Sequence, residues 1–551
     1  MIRILRLKRH AVAAAILLAC LSACQNMPQI SMPGASAKPV ATWENDPLAA
    51  LPPPESRTGW MNADSDQLNQ RANGFGLVRM PDMQAYLNGL YAKIKTQAGV
   101  PNWPGKVFIT ASSTLDAFAT GAGNLYISTA WLMEMRHEDE LVALLGHEFG
   151  HVYLHYHQLE GAVLTADTAA LVAALAITLA KPSIQGDAWT PVDTLLVGYL
   201  AGRSLSVAAW GRSQESAADM IGLNISLKLG YSYENGMKLM LERLAAQETK
   251  LAALKKAQED QARAIRQQQQ RDGVCKQAAP KNAKSAGEDC NAVAKAEGDF
   301  RVALQDLMEQ VGSSAKDIAN PMIADHPETA DRLEFIAQAT ERLPDEALVG
   351  RMPDNLPRMR ALPATAAILQ NYRLAIAALA APDAPDALST AAAAAKGPTA
   401  THAMPLVALY RAQRANPSKP LRQEFRADPG VMMDANLKSA EDVSWIVVLE
   451  RTQQLQAQKK NAQAKTVMTN GFKLFQQAQN VWPDNIRYTG AAAGWPSAKQ
   501  LANDCQGKFP AMADACRKAA ISPAEQAQLD RQSKEKGEKI GNDLVKKLSN
   551  K

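Results

Sequence analysis

The spacing of apolar and polar residues changes along the chain, and the change predicts a mixed fold. Apolar positions recur at helical spacing from Met83 to Ala98 and favour an amphipathic helix. Residues 106–110 predict a strand, and two further strands, at 117–120 and 125–128, flank a Gly-rich turn. Helical spacing dominates after that. We therefore expect a mainly α (α+β) fold, with a small β-sheet or hairpin in the first half and an all-helical second half.

Two stretches of unusual composition interrupt this pattern. Residues 162–180 are apolar and Ala-rich, but Asp167 lies near the start of the run and Lys181-Pro182 ends it. We expect a helix that is buried or touches a membrane, with a full membrane span as the alternative. Residues 246–300 are rich in Lys, Gln, Glu and Ala, which is typical of a solvated helical hairpin or insertion.

The second half contains part of a repeat pattern. Gly471, Phe475, Ala478 and Pro483 lie at the offsets of the second helix of a tetratricopeptide repeat, although no complete repeat can be traced. We therefore expect a helical C-terminal domain at 346–551 that is either tetratricopeptide-like or irregular.

The N-terminal segment predicts export. Residues 1–23 combine a basic start with a short apolar stretch, as in a secretory signal peptide. The sequence ending at Cys24 resembles a bacterial lipobox, whose cysteine is lipidated. Cleavage before Cys20 fits less well because Leu18 replaces a small residue, and an ordinary signal that leaves Cys24 unmodified is the other alternative. Gln25 after the cysteine is typical of lipoproteins that are sorted to the outer membrane.

Removal of the signal changes the charge of the chain. The 551 residues have a formal net charge of +5, and the four cations of the signal account for all but +1 of it. A chain so close to neutral does not have the basic surface that nucleic-acid binding requires. Residues 24–60 are Pro-rich and predict a tether between the lipid and the fold.

Four other cysteines remain in the mature chain, as two pairs that are local in sequence. An exported protein folds in a compartment that permits disulfides. We predict two bonds, with four reduced and buried thiols as the alternative: Cys275–Cys290 and Cys505–Cys516.

The motif HExxH occurs once, at residues 147–151. Residues four apart lie on one face of a helix, so His147 and His151 can direct both imidazoles at one metal ion, with Glu148 beside it. Neutral imidazole suits zinc. The residues around the motif are uncharged, and the helix begins with three acidic residues that suit its N-terminal dipole.

A catalytic zinc usually has three protein ligands and one open position. Glu215 is our candidate for the third ligand because Asp219 follows it by one helical turn on the same face. Asp219 can then accept the free N–H of a ligating histidine and fix the orientation of its ring.

The HExxH motif with a downstream Glu-x-x-Ala-Asp sequence resembles the gluzincin metallopeptidases grouped with HtpX, Oma, BepA and LoiP. The sequences at 116–121, 125–128 and 138–141, and His326-Pro327 with Arg332, also resemble that family and occur in its order. The resemblance covers roughly residues 75–340. It implies a zinc metallopeptidase domain at 61–345, with residues 246–300 as an insertion that the family lacks.

The resemblance also implies a role for each candidate residue. Three side chains would bind one Zn²⁺ per chain: His147, His151 and Glu215. Glu148 would act as general base and return the proton to the leaving amine. The strand near 117–121 would bind an unfolded substrate segment by β-addition. His326 and Arg332 would stabilise the oxyanion, or His326 would instead cap the metal in a latent state.

Together, these features predict a zinc metalloendopeptidase of the periplasm that a lipid anchors to the outer membrane. Its substrates would be misfolded or stalled envelope proteins, and its C-terminal helices would dock substrate or an outer-membrane assembly machine. The alternative is a chaperone or assembly factor for outer-membrane proteins with latent or regulated protease activity. A structural lipoprotein with vestigial zinc is a third hypothesis, against which the intact Glu148 argues.

Overall fold

The structure is a computed structural model that describes residues 43, 45–54, 60, 62–154, 214–250, 252, 253, 256, 329–416, 428–529, 531 and 532. Several features predicted from the sequence lie outside these residues: the signal peptide, Cys24, the apolar run at 162–180, most of the insertion at 246–300, Cys275, Cys290 and His326. Among the helices that are described, none is both long enough and apolar enough to cross a membrane.

The first half combines helices with a small sheet, as predicted. The helices are α1 Ala63–Arg71, α2 Pro81–Gln97, α3 Thr129–Glu134, α4 Glu138–Tyr153, α5 at 214–228, α6 at 239–250 and α7 Thr329–Thr340. A π-helical turn, Glu234–Lys238, leads into α6. The strands are β1 Val107–Thr110, β2 Ala117–Ala119 and β3 Leu125–Ser128. The predicted helix at 83–98 and the three predicted strands are therefore confirmed to within two residues.

The three strands form one sheet in the order β1-β3-β2. β1 runs parallel to β3, and β2 runs antiparallel to it. Val107 and Leu125 face the core, where α2 and α4 pack against the sheet. On the other face, the ring of Tyr126 stacks against Phe108 and Phe118, with centroids 5.5 and 4.9 Å away. Within the described residues, β2 lies at an edge of the sheet.

The second half is helical, as predicted. Its helices are α8 Asp345–Leu348, α9 Leu356–Ala361, α10 Pro363–Ala380, α11 Ala387–Ala394, α12 Ala403–Ala415, α13 Pro429–Lys438, α14 Trp445–Ala457, α15 Asn461–Leu474, α16 Trp482–Ala493, α17 Trp495–Lys508, α18 Ala513–Ala519 and α19 at 523–529. Many of them pack in neighbouring pairs, such as α10 with α11, α14 with α15, and α16 with α17.

The tetratricopeptide pattern does not correspond to one continuous helix. α15 ends at Leu474, and Gln476 and Gln477 have φ values of +50° and +57°. This left-handed turn places Ala478 beyond the helix that the pattern predicted. Phe475, at the end of α15, is fully buried against Trp445 of α14. The residues that resemble a repeat therefore form a helix end and a tight turn.

One apolar core extends across both halves. It contains Leu145 of α4 and Ile336 of α7, and it continues through Tyr372 of α10 and Leu409 of α12 to Val447 of α14. A hydrogen bond also joins the halves directly, since the Asn355 N–H donates to the Glu138 carboxylate over 3.0 Å. The domain boundary at 345/346 remains a prediction, and the packing shows that the chain on either side of it shares a core.

The predicted Cys505–Cys516 disulfide is present in the structure. It joins α17 to α18 and is buried with Ile486 and Ala498 in a separate apolar cluster. Because this cluster is small, the disulfide makes an important contribution to the stability of the last helices.

Replacing both Cys505 and Cys516 by serine should destabilise these helices by about 3 kcal/mol, because the disulfide closes a short loop in the unfolded chain. Hydrogen exchange of the amides in α17 and α18 measures the change. A reductant should bring wild type to the exchange rates of the double variant and leave that variant unchanged. Equal rates in the oxidised wild type and the double variant would contradict the prediction.

Candidate metal centre

The helix that contains HExxH, α4, is anchored at its N-terminus by buried acidic side chains. Glu138 accepts hydrogen bonds from the Tyr231 hydroxyl over 2.7 Å and from the Asn355 N–H. Glu140 pairs with Arg243 of α6. Negative charge at a helix N-terminus also offsets the positive end of the helix dipole. The first turn of α4 is thus bonded to several elements, which fixes the direction in which the helix presents its histidines.

α4 and α5 cross with their backbones in close contact. A Cβ on Gly150 would lie 2.8 Å from the Cα of Ala218, and a Cβ on Gly222 would lie 2.8 Å from the backbone nitrogen of His147. Gly146 faces Gly222 at similar range. Real Cβ atoms do not approach other atoms so closely, so only glycine fits at these positions without a shift of the helices. This contact brings the motif on α4 next to the acidic residues of α5.

Three of the predicted site residues converge across this contact. The Nε2 atoms of His147 and His151 lie 3.2 Å apart. The two carboxylate oxygens of Glu215 face them, with Oε2 3.4 Å from the Nε2 of His147 and Oε1 3.4 Å from the Nε2 of His151. His147 and Glu215 are buried, and His151 is partly exposed. These three residues form the one group in the described residues that could hold a metal ion.

The separations between these atoms fit a tetrahedral zinc site. Zinc binds nitrogen and oxygen ligands at 2.0–2.2 Å, so a tetrahedral arrangement separates its donor atoms by about 3.3–3.6 Å. The observed separations of 3.2–3.4 Å agree with this spacing. Two imidazoles and a carboxylate are also a donor set that zinc prefers. The residues present therefore fit the metal.

Asp219 and Arg332 surround the donor atoms with a second layer of charged groups. Asp219 Oδ1 lies 2.8 Å from His147 Nδ1, the ring nitrogen that points away from the other two donors. Arg332 of α7 donates two hydrogen bonds to Asp219, over 2.8 and 2.7 Å, and its Nη1 lies 3.2 Å from Glu215. Both side chains are buried. Arg332 therefore holds the two acidic residues of α5 in one arrangement.

Electrostatics make the site attractive to a cation. Burial lowers the pKa of His147, but the Asp219 and Glu215 carboxylates outweigh it and raise the pKa to about 10. Burial raises the pKa of Asp219, but Arg332 and His147 outweigh it and lower the pKa below its ordinary value. Without a metal, the carboxylates therefore favour a positive charge on His147.

Glu148 and Arg332 were also predicted as site residues, and neither belongs to the group of three donor residues. Glu148 is buried on α4 next to His147, as the motif requires, and its charge interacts with Arg332. The Arg332 guanidinium contacts the carboxylates of α5, which favours a positioning role, and its oxyanion role remains a prediction. The two alternative roles of His326 also remain predictions, because His326 lies outside the described residues.

Comparison with known proteins agrees with the geometry. Residues 81–340 match the model of Peptidase family M48. The chain contains an M48 peptidase domain. This family consists of metallopeptidases, which typically depend on zinc.

Relatives with a curated description align with part of the chain. The beta-barrel assembly-enhancing protease of Escherichia coli (strain K12) is 25% identical over 173 residues, and that of Yersinia pestis is 26% identical over 177 residues. Each alignment covers 31% of this chain and 34% of the relative. The chain thus matches about a third of the length of these relatives.

The glycine contact between α4 and α5 was not predicted from the sequence. Gly146 and Gly150 are four residues apart on α4, and Ala218 and Gly222 have the same spacing on α5. Small residues at i and i+4 permit close helix packing, so this spacing could have predicted the contact. The spacing of residues in the sequence could not predict the pairing of Arg332 with Asp219, because α7 meets α5 only in the folded chain.

Gly150→Ala should destabilise the M48 domain by about 1–3 kcal/mol, because the added methyl group would force α4 and α5 apart. The control is Gly89→Ala in α2, whose added Cβ would meet nothing within 4 Å. Alanine favours a helix over glycine, so the control should gain up to about 1 kcal/mol. Urea unfolding measures both. Equal free energies of unfolding for the two variants would be inconsistent with the close contact.

Proposed function

We propose that this protein is a zinc-dependent endopeptidase whose reaction centre lies where α4 and α5 of the M48 domain meet. The observation that carries the proposal is the spacing of the donor atoms of His147, His151 and Glu215, at 3.2–3.4 Å, beside the buried Glu148. These three residues would hold the ion, leaving the fourth position for water and substrate.

The charges around the donor atoms support a divalent cation. Glu148, Glu215 and Asp219 bring three formal negative charges into the buried site, and Arg332 brings one positive charge. Buried charges are costly unless they are compensated. A divalent cation would compensate the remaining two negative charges, whereas a monovalent cation would leave one of them.

Each side chain then has a defined task in peptide hydrolysis. When bound, zinc lowers the pKa of its water to about 7 and polarises the carbonyl that is attacked. Glu148 accepts the proton of the attacking water and later donates it to the leaving amine. Asp219 holds the ring of His147 through Nδ1, and Arg332 holds Asp219. The nucleophile is thus generated near neutral pH without a covalent intermediate on the protein.

We propose that substrates bind as an added strand on β2. This strand lies at an edge of the sheet in the described part of the chain, and it packs against α4, which carries His147, Glu148 and His151. Strand addition uses backbone hydrogen bonds, so it accepts extended segments of many sequences. Unfolded or misfolded polypeptides are therefore the substrate class that this edge favours.

The cell envelope is the proposed site of action. The N-terminal sequence supports export and lipidation at Cys24, and the relatives are named as proteases that enhance β-barrel assembly. We propose a periplasmic enzyme anchored to the outer membrane, with misfolded or stalled envelope proteins as substrates. The C-terminal helices would bind substrate or assembly machinery.

Glu148→Gln should retain one zinc per chain and lose cleavage of an unfolded protein by at least 1,000-fold. The amide cannot accept the proton, and each factor of ten corresponds to about 1.4 kcal/mol of barrier. Metal analysis and a fluorogenic casein assay measure the two properties. Glu134→Gln, an exposed position on α3, is the matched control and should cleave like wild type.

Two outcomes would count against the proposal in different ways. Cleavage by Glu148→Gln at the wild-type rate would remove the catalytic role of Glu148. Absence of cleavage by wild type and variant, with both restoring envelope integrity in a deletion strain, would favour the chaperone or assembly factor.

Glu215→Ala should abolish stoichiometric zinc binding, because it removes one of three ligands. Asp219→Asn should weaken zinc affinity by about 10–100-fold, because the histidine ligand loses its charged partner. Competition with a fluorescent chelator measures both affinities, and Asp82→Asn at an exposed position of α2 is the control. Unchanged zinc affinity in Glu215→Ala would mean that another residue is the third ligand.

A further inference from the structure

Helix α1 contacts the sheet through one buried carboxylate. α1 precedes the residues that match the M48 family, which begin at residue 81. The other polar side chains of α1 are exposed or only partly buried, but Asp66 is only 2% exposed. Burial of a carboxylate destabilises the fold unless the group is well hydrogen-bonded. The hydrogen-bond partners of Asp66 therefore indicate its role.

One oxygen of Asp66 accepts three hydrogen bonds from the sheet. Oδ2 lies 2.8 Å from the Thr120 hydroxyl, 2.8 Å from the Asn124 side-chain nitrogen and 2.7 Å from the Tyr126 hydroxyl. Burial and the Asp66 charge raise the pKa of Tyr126, so its hydroxyl stays a donor. An ionised carboxylate accepts such bonds more strongly than a neutral amide does.

The three donors belong to the connection between β2 and β3. Thr120 directly follows β2 and Asn124 directly precedes β3, and the Thr120 N–H donates to the Asn124 carbonyl over 3.0 Å. Tyr126 of β3 stacks against Phe118 of β2. The Asn124 side chain also accepts a hydrogen bond from the N–H of Lys106, which directly precedes β1. Asp66 therefore holds the end of β2 in place relative to the other two strands.

The opposite side of α1 contacts the C-terminal helices. Leu68 and Ala72 pack against an apolar cluster that contains Trp445 of α14. Arg71 donates to the Ala440 carbonyl over 2.6 Å, in the loop before α14. α1 thus lies between the C-terminal helices and the sheet that packs on α4.

We propose that Asp66 is a positioning residue for polypeptide binding. Through Thr120, Asn124 and Tyr126 it sets the position of β2, to which an extended polypeptide adds, and α1 makes that position depend on the C-terminal helices. This inference rests on the proposed strand addition. It assigns Asp66 to binding rather than to the proton transfers at Glu148.

The test compares Asp66→Asn with Asp64→Asn, which is exposed on the same helix. Each is combined with Glu148→Gln, and fluorescence anisotropy measures the affinity for labelled, reduced and carboxymethylated α-lactalbumin. We expect Asp66→Asn to raise Kd at least 5-fold and Asp64→Asn to leave it unchanged. With Glu148 intact, KM should rise by the same factor while kcat and zinc content stay within 2-fold of wild type.

Tyr126→Phe removes one of the three donors without altering Asp66, so it carries the test if Asp66→Asn does not fold. It should raise Kd about 2-fold to 3-fold. When Tyr126→Phe is combined with Asp66→Asn, Kd should rise little above its value in Asp66→Asn alone, because the two residues share one interaction.

The outcomes separate this inference from the proposed peptidase function. A lower unfolding midpoint in Asp66→Asn with unchanged Kd and KM would reduce Asp66 to a structural residue and overturn the inference. A wild-type protein that cleaves nothing, but whose affinity falls at least 5-fold with Asp66→Asn, would overturn the peptidase proposal and support the inference.

Discussion

The close contact between α4 and α5 is the constraint on which the site depends. The donor atoms of His147 and Glu215 meet because Gly150 and Gly222 let the two helix backbones approach within the space that a methyl group would fill. A wider helix pair would leave the imidazoles and the carboxylate too far apart to share one small ion. The acidic first turn of α4 then fixes the rotation of the helix, through partners such as Tyr231 and Arg243.

Charge compensation is the second requirement, and α7 contributes to it. Carboxylates in a buried site repel one another, and each has lost its hydration. Arg332 offsets part of this cost by pairing with both Asp219 and Glu215. The site is thus built by three helices, of which two supply donor atoms and the third supplies the opposing charge.

Much of the site could be predicted because its signals are local. The four-residue spacing of His147 and His151 fixes their common face, and Glu215 with Asp219 repeats the same logic on α5. The role of Arg332 could not be predicted from spacing, because it depends on how α7 packs. The helix end after Leu474 could not be predicted either, because glutamines rather than a glycine form the left-handed backbone that follows it.

The continuous core constrains how the two halves of this protein can evolve. Ile336 of the M48 domain and Tyr372 of the helical half belong to one continuous apolar cluster, so the two halves share a packed core. Removal of the helical half would therefore expose apolar side chains that the M48 domain now buries against it. Exchange between relatives would have to carry both surfaces together, and the two halves are expected to diverge as a single unit.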